Sequence, residues 1–189
     1  MNDNDLRVVK TRENIEAVFL DLLDKEDFSR ITVTQIVKAC RISKGTFYYH
    51  YKDKFDLAEK MLRRQFARYE ELVRAVESRE ENVPVDIPAL TSLAESIAED
   101  YRSLSSIHTR DFDAKKELMG FLQQRFLEHM QGDADSSPKH SYQVSRMLAS
   151  IIVTEVEMII AGEAEPGDQF IESIGELERY LAKIDLRTI

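Results

Sequence analysis

Two helix starts crowd the segment TVTQIVKACRISKGTFYYHYKDKFDL, residues 32–57. A hydroxyl at Thr32 or Thr34 can cap a helix over 34–40, and Ser43 can cap another over 44–51. Only positions 41–42 join them, so each helix has about two turns and the pair must bend sharply at the joint. The first helix turns Ile36, Val37 and Cys40 inward. On the second, Phe47 and Tyr51 are four apart and share a face, with Ile36 and Ile42 available to complete a small core. Lys44, Gly45, Tyr48 and Tyr49 fall on the opposite face. The aromatic run is thereby divided into a core pair and a pair open to a partner, in a helix-turn-helix arrangement.

Helical spacing continues on both sides. Ile15, Val18, Phe19, Leu22 and Leu23 recur at three- and four-residue steps, which predicts a helix from about Lys10 to Lys25. Asp53 caps a long helix that carries Phe55, Leu57, Ala58, Met61, Leu62, Phe66 and Tyr69 toward Ser78. SREENVPVDIP, 78–88, holds two of the four prolines and reads as a linker or joint. Further helices are expected at 89–104, 114–130 and 142–161, and from Gln169 to about Ile184. A flexible loop at 131–140 and a turn at 162–168 separate the last three. Strand-like alternation of useful length and internal repeats are both missing. The reading is an all-α chain, with a helix-turn-helix domain at 1–55 and a helical bundle at 56–189.

Charge sharpens the division. The net charge of −9 argues against a general polyanion binder. Yet residues 35–68 hold nine basic and three acidic side chains, while 71–189 hold 12 and 23. A basic segment joined to an acidic remainder suits a module that meets phosphate beside one that does not. Lys52, Lys54, Lys60, Arg63 and Arg64 flank the aromatic helix as phosphate-neutralising candidates.

ITVTQIVKACRISKGTFYYHYKDKFDL, 31–57, resembles the DNA-binding domain of the tetracycline-repressor (TetR) family, and the likeness extends over roughly residues 10–60. The shared features are the Thr-x-x-x-Ile opening, the Ser-Lys-Gly-Thr turn, the aromatic run ending in His-aromatic, and Lys-Asp-Lys followed by Leu. The resemblance implies an all-helical homodimer, usually a repressor, with a C-terminal ligand and dimer domain. It implies double-stranded DNA as partner, through a pseudo-palindromic operator, and an effector that is a small molecule or a protein. It places Thr34, Lys44, Gly45, Thr46, Tyr48, Tyr49, His50 and Lys54 at DNA contacts. Tyr49 would read bases, while Thr46, Tyr48, His50 and Lys54 would mostly hold phosphates. The family usually has Ala-Gly in the turn where this chain has Cys40-Arg41. Arg41 must then enter a strained left-handed conformation or alter the turn.

In the C-terminal part, Phe170, Ile174, Leu177, Leu181 and Ile184 step by fours and threes, a seam suited to another helix. The helix at 142–161 is apolar over more than one face. The expected dimer interface pairs them through Ile152, Val156, Ile159, Phe170, Ile174, Leu177 and Leu181. Tyr101, Phe121, Phe126 and Met147 are expected to line an effector pocket, although their spacing suits plain core equally. Glu155 and Glu157 read as a solvated face.

Other functions find little support. The sequence has no Ser/His/Asp order, no Gly-rich phosphate loop after a strand and no metal-ligand cluster, so catalysis, a metal and a cofactor are not expected. His108 and Asp111 alone are weak grounds for a metal. The single Cys40 excludes an intrachain disulfide. The N-terminus lacks the apolar stretch of a signal peptide, and no apolar run approaches the ~18 residues of a membrane span. A cytoplasmic location is expected. The alternative to a DNA-binding repressor is an activator of the same fold, or an interaction protein of that fold controlled by a protein partner rather than a small molecule.

Overall fold

The computed structural model describes residues 6–77, 87–131, 138–165, 168–181 and 183. Among them are eight α-helices: α1 Leu6–Leu23, α2 Val33–Cys40, α3 Lys44–His50, α4 Lys54–Glu77, α5 Ile87–Tyr101, α6 Ala114–Gln131, α7 Pro138–Ala161 and α8 Asp168–Leu181. A 3₁₀ turn at Leu104–Ser106 follows α5. One isolated antiparallel bridge, His108 to Asp113, is the extent of β pairing among the described residues. The fold is all-α, with the helix-turn-helix at its N-terminal end.

Local chemistry sets the helix ends. Thr32, not Thr34, caps α2: its side-chain oxygen accepts the Gln35 N–H at 3.2 Å, and Gln35 Oε1 accepts the Thr32 N–H at 2.8 Å. This reciprocal pair satisfies two backbone donors that a helix start otherwise leaves open. Ser43 caps α3 by accepting the Thr46 N–H at 3.0 Å. Asp53 Oδ1 accepts the Phe55 and Asp56 N–H groups at 2.8 Å, opening α4. Pro88 stands in the first turn of α5, where a missing N–H costs nothing. The helix expected through Leu104 stops at Tyr101. The hydroxyls of Ser105 and Ser106 take the carbonyls of Arg102 and Ser103 there, a local alternative to the α-helical ladder. Expected features at 78–86 and 132–137, and Ile184, lie outside the described residues.

The chain forms two compact units. The first comprises Met1–Ala67 and Tyr101–Glu117, and the second Arg68–Asp100 and Leu118–Ile189. The unit that holds the helix-turn-helix thus runs past residue 55 and takes in the 3₁₀ segment. Its core joins Ile15 and Phe19 of α1 to Ile36 of α2, Phe47 of α3 and Leu57 and Leu62 of α4. Phe28 packs edge-on against Phe19 and Phe55, with ring centroids 6.2 and 5.1 Å apart. Buried area of this kind, at about 25 cal/mol per Å², is what holds such short helices in place.

The second unit buries Leu93 and Ile97 of α5, Leu118 and Leu122 of α6, Ile152 and Val156 of α7, and Phe170 of α8. Gly162 ends α7 at φ 73°, with its N–H bonded to Ile159 O and that of Glu163 to Met158 O. A left-handed residue at that point suits glycine. Glu155 departs from the solvated reading. It is buried in α7, and burial pushes its carboxyl above the ordinary value. Glu157 is exposed.

Candidate nucleic-acid interface

The division of the aromatic run is realised in α3. Phe47, and Tyr51 just after the helix, are buried at 0% and 2% exposure, while Tyr48 and Tyr49 are 55% and 52% exposed. Lys44 and Gly45 are exposed beside them, as is Thr34 on α2. Thr46 is half-buried, its hydroxyl 2.9 Å from that of Ser43. His50 is half-buried and stacks edge-on against Tyr49 at 5.0 Å. Ile42 is only half-buried and contributes less to the core than expected.

Gly45 has no internal explanation. A Cβ built there would meet Ser43 Oγ at 3.6 Å, an ordinary contact. A glycine inside a helix costs roughly 0.5–1 kcal/mol against alanine. The packing of this chain does not demand that cost.

Arg41 lies in the left-handed region at the turn before α3. That residue takes φ 56° and ψ 42° and is the positive-φ non-glycine among the described residues. The N–H groups of Arg41 and Ile42 bond Lys38 O at 3.3 Å and Val37 O at 3.1 Å, closing α2 as a left-handed C-terminal cap does. Asn14 of α1 donates to Cys40 O at 3.2 Å, which satisfies another end carbonyl. Cys40 is buried, and that burial raises its thiol pKa.

The flanking cations behave differently from the expectation. Lys54 Nζ donates to the carbonyls of Phe28, Ser29 and Ile31 and lies 4.5 Å from the Phe28 ring centre. Burial lowers its pKa, against a small opposing pull from Asp27. Lys60 bonds His50 O and Asp56, Arg63 pairs with Glu59, and Arg64 pairs with Glu16. Four of the five flanking cations thus have acceptors within the chain. Lys54 Nζ, expected at a phosphate contact, is thus held by internal acceptors. Sequence counting misses this because carbonyl acceptors leave no trace in a charge balance. Lys52 is exposed. At Tyr51 burial raises the phenol pKa, and the Glu16 carboxylate adds to the rise.

The remaining expected sites lie elsewhere. Ile152, Val156, Ile159 and Phe170 are less than a tenth exposed within the single chain, so they have little area left for a second copy. Ile174 is half-buried, Leu177 is 44% exposed, and the Leu181 side chain lies outside the described ones. On α7 the outward stripe is Val144, Met147, Ile151 and Met158, in steps of three, four and seven. It is turned about one residue, or 100°, from the expected Ile152 register. Met147 is 66% exposed, which removes it from a pocket lining. Tyr101 is buried in the first unit, while Phe121 and Phe126 are half-buried in the second. His108 faces Asp113 at 3.5 Å rather than Asp111. Among the described residues no three metal-ligating side chains gather.

Comparison with known proteins agrees with this geometry. The profile of "Bacterial regulatory proteins, tetR family" matches residues 20–61. An uncharacterised HTH-type transcriptional regulator, YxbF of Bacillus subtilis (strain 168), is 42% identical over 64 residues, 33% of this chain. That match spans only 17% of YxbF. In three dimensions the chain is similar to a protein from Syntrophomonas wolfei str. Goettingen described as a candidate TetR-family transcriptional regulator. Its TM-score is 0.73 at 16% identity, covering 94% of this chain and 97% of that one. The dihydroxyacetone kinase operon activator DhaS gives a TM-score of 0.58 at 20% identity, covering 94% and 98%. At these identities the likeness is one of fold. Residues 20–61 thus match the N-terminal domain of the tetR family of bacterial regulatory proteins, and the fold of the chain is similar to that of solved structures described as regulators of that family.

Proposed function

We propose that the protein is a sequence-specific DNA-binding transcription regulator, a homodimeric repressor released from a pseudo-palindromic operator by an effector. The observation that carries this reading is α3: two tyrosines stand exposed on it beside an exposed lysine and a glycine that no internal contact requires. Tyrosine presents a hydroxyl for phosphate or base edges and a ring for thymine methyl groups. Thr34, Lys44, Thr46, Tyr48, Tyr49 and His50 are the proposed contacts, with Tyr49 reading bases. Lys54 acts behind them. Catalysis has no part in this reading, and the site of action is the cytoplasm. No described helix is long and apolar enough to cross a membrane.

The proposed dimer forms through the outward stripes of α7 and α8, Val144, Met147, Ile151 and Met158 with Leu177 and Tyr180. Apolar side chains at these steps are what a four-helix contact buries. Release is proposed to act through α4, a single helix that begins in the first unit and continues into the second. An effector held by α5, α6 and α7 that prefers one position of α4 changes operator affinity by a coupling of typically ~1–3 kcal/mol, and the operator changes effector affinity equally.

Selection from a random-sequence duplex DNA pool tests the reading. The expected product is an inverted repeat bound more weakly as salt rises. Failure to enrich any sequence contradicts it. Tyr49→Ala should enrich a different or broader set of sequences while overall affinity changes less.

A further inference from the structure

The basic stretch around α3 offers fewer charges to a partner than its composition suggests, and the reason lies in what α4 grips. Lys54 Nζ reaches the carbonyl oxygens of Phe28, Ser29 and Ile31 at 2.7, 3.2 and 2.8 Å. Those three acceptors match the three N–H donors of an ammonium group. Lys60 Nζ donates to His50 O, at the end of α3, at 3.1 Å and to Asp56 Oδ2 at 2.9 Å. Arg64 Nη2 donates to Glu16 Oε1, and the Tyr51 hydroxyl donates to that same oxygen at 2.5 Å. Arg12 Nε stands 3.9 Å from it as well. Tyr51 terminates α3, its own N–H bonded to Phe47 O at 2.9 Å. One carboxylate of α1 therefore ties the end of α3 to α4.

We propose that Glu16, Lys60 and Arg64, which fix the end of α3 against α1 and α4, and Lys54, which ties the start of α4 to residues 28–31, serve DNA binding as positioning residues and touch no phosphate. The inference rests on the DNA-binding reading above. It assigns to an acidic side chain a favourable role in holding a polyanion. Simple electrostatics gives the opposite sign, because removing a negative charge near DNA strengthens binding. A charge-assisted bond to a half-buried carboxylate is worth more than a neutral one, so its loss loosens the end of α3.

The test uses the full chain and the duplex enriched by wild type from random sequence. Affinity is read across a salt series at a temperature where circular dichroism shows every variant folded. A role in stability alone then leaves affinity unmoved. Glu16→Gln is expected to bind about tenfold more weakly with an unchanged salt slope, from loss of the charged bonds. Lys54→Met keeps the apolar stem over Phe28 and is expected to lose affinity, again at constant slope. Lys44→Ala, at an exposed position, is expected to lower the slope by about 1.8, one phosphate contact in each protomer of the bound dimer. Tighter binding by Glu16→Gln, unchanged affinity in both variants, or a slope reduced by about 1.8 in Lys54→Met would overturn the inference. If wild type enriches no duplex, the regulator reading falls and takes this inference with it. Normal wild-type binding with any of the three contrary results overturns the inference alone.

Discussion

Arg41 holds a conformation that its side chain disfavours. The left-handed region costs a non-glycine residue roughly 1–2 kcal/mol, of which glycine returns part as extra freedom in the unfolded chain. Arg41→Gly should therefore stabilise the protein by about 1 kcal/mol, a rise of a few degrees in melting temperature. A fall in melting temperature would show that the arginine side chain contributes more than the strain costs. Asp56 supplies a second test. Burial pushes its carboxyl up, but the Lys52 N–H and the Lys60 ammonium outweigh that and hold it below the ordinary value. A lowered folded pKa means stability that is present above the unfolded value near ~3.9 and lost as pH falls through the folded one. Acid unfolding of Asp56→Asn should accordingly show a shallower dependence on pH below ~4 than wild type. Identical acid profiles would remove Asp56 from the account. The strain at Arg41 is legible in sequence as a question, since glycine is the easy residue there. Its answer needed the backbone, because a positive φ and a rearranged turn are written with the same letters.

Helices were legible wherever the spacing of apolar side chains and a capping side-chain oxygen agreed, as at Thr32, Ser43 and Asp53. The α3 faces were legible for the same reason: four residues return a helix to the same side. Which face of α7 stays outside was not. Apolar residues surround that helix, so Ile152 and Ile151 are equivalent in sequence and differ only in what the chain packs against them. The exposed stripe now separates two substitutions that sequence alone treats alike. Met147→Asp, at an outward position, should leave the fold intact and shift sedimentation from dimer to monomer. Ile152→Asp places a charge in the unit's own core and should destabilise the fold by several kcal/mol. A Met147→Asp protein that stays dimeric would rule out the outward stripe as the contact. The braces Lys54, Lys60 and Arg64 were also hidden, because their acceptors are backbone carbonyls and a carboxylate remote in sequence.

At the scale of the molecule, α4 runs on from the basic segment at 35–68 into the acidic remainder of the chain. Two copies of α3 are expected to meet DNA through Tyr48, Tyr49 and Lys44. In a symmetric dimer those helices must enter successive major grooves on one side of the duplex, about 34–36 Å apart. Hydroxyl-radical footprinting on the selected duplex tests this most directly, comparing wild type with a variant carrying Lys44→Ala, Tyr48→Ala and Tyr49→Ala. The account predicts two protected patches about one helical turn apart for wild type, and their loss in the folded variant. A single patch, or protection that survives the triple substitution, would contradict it.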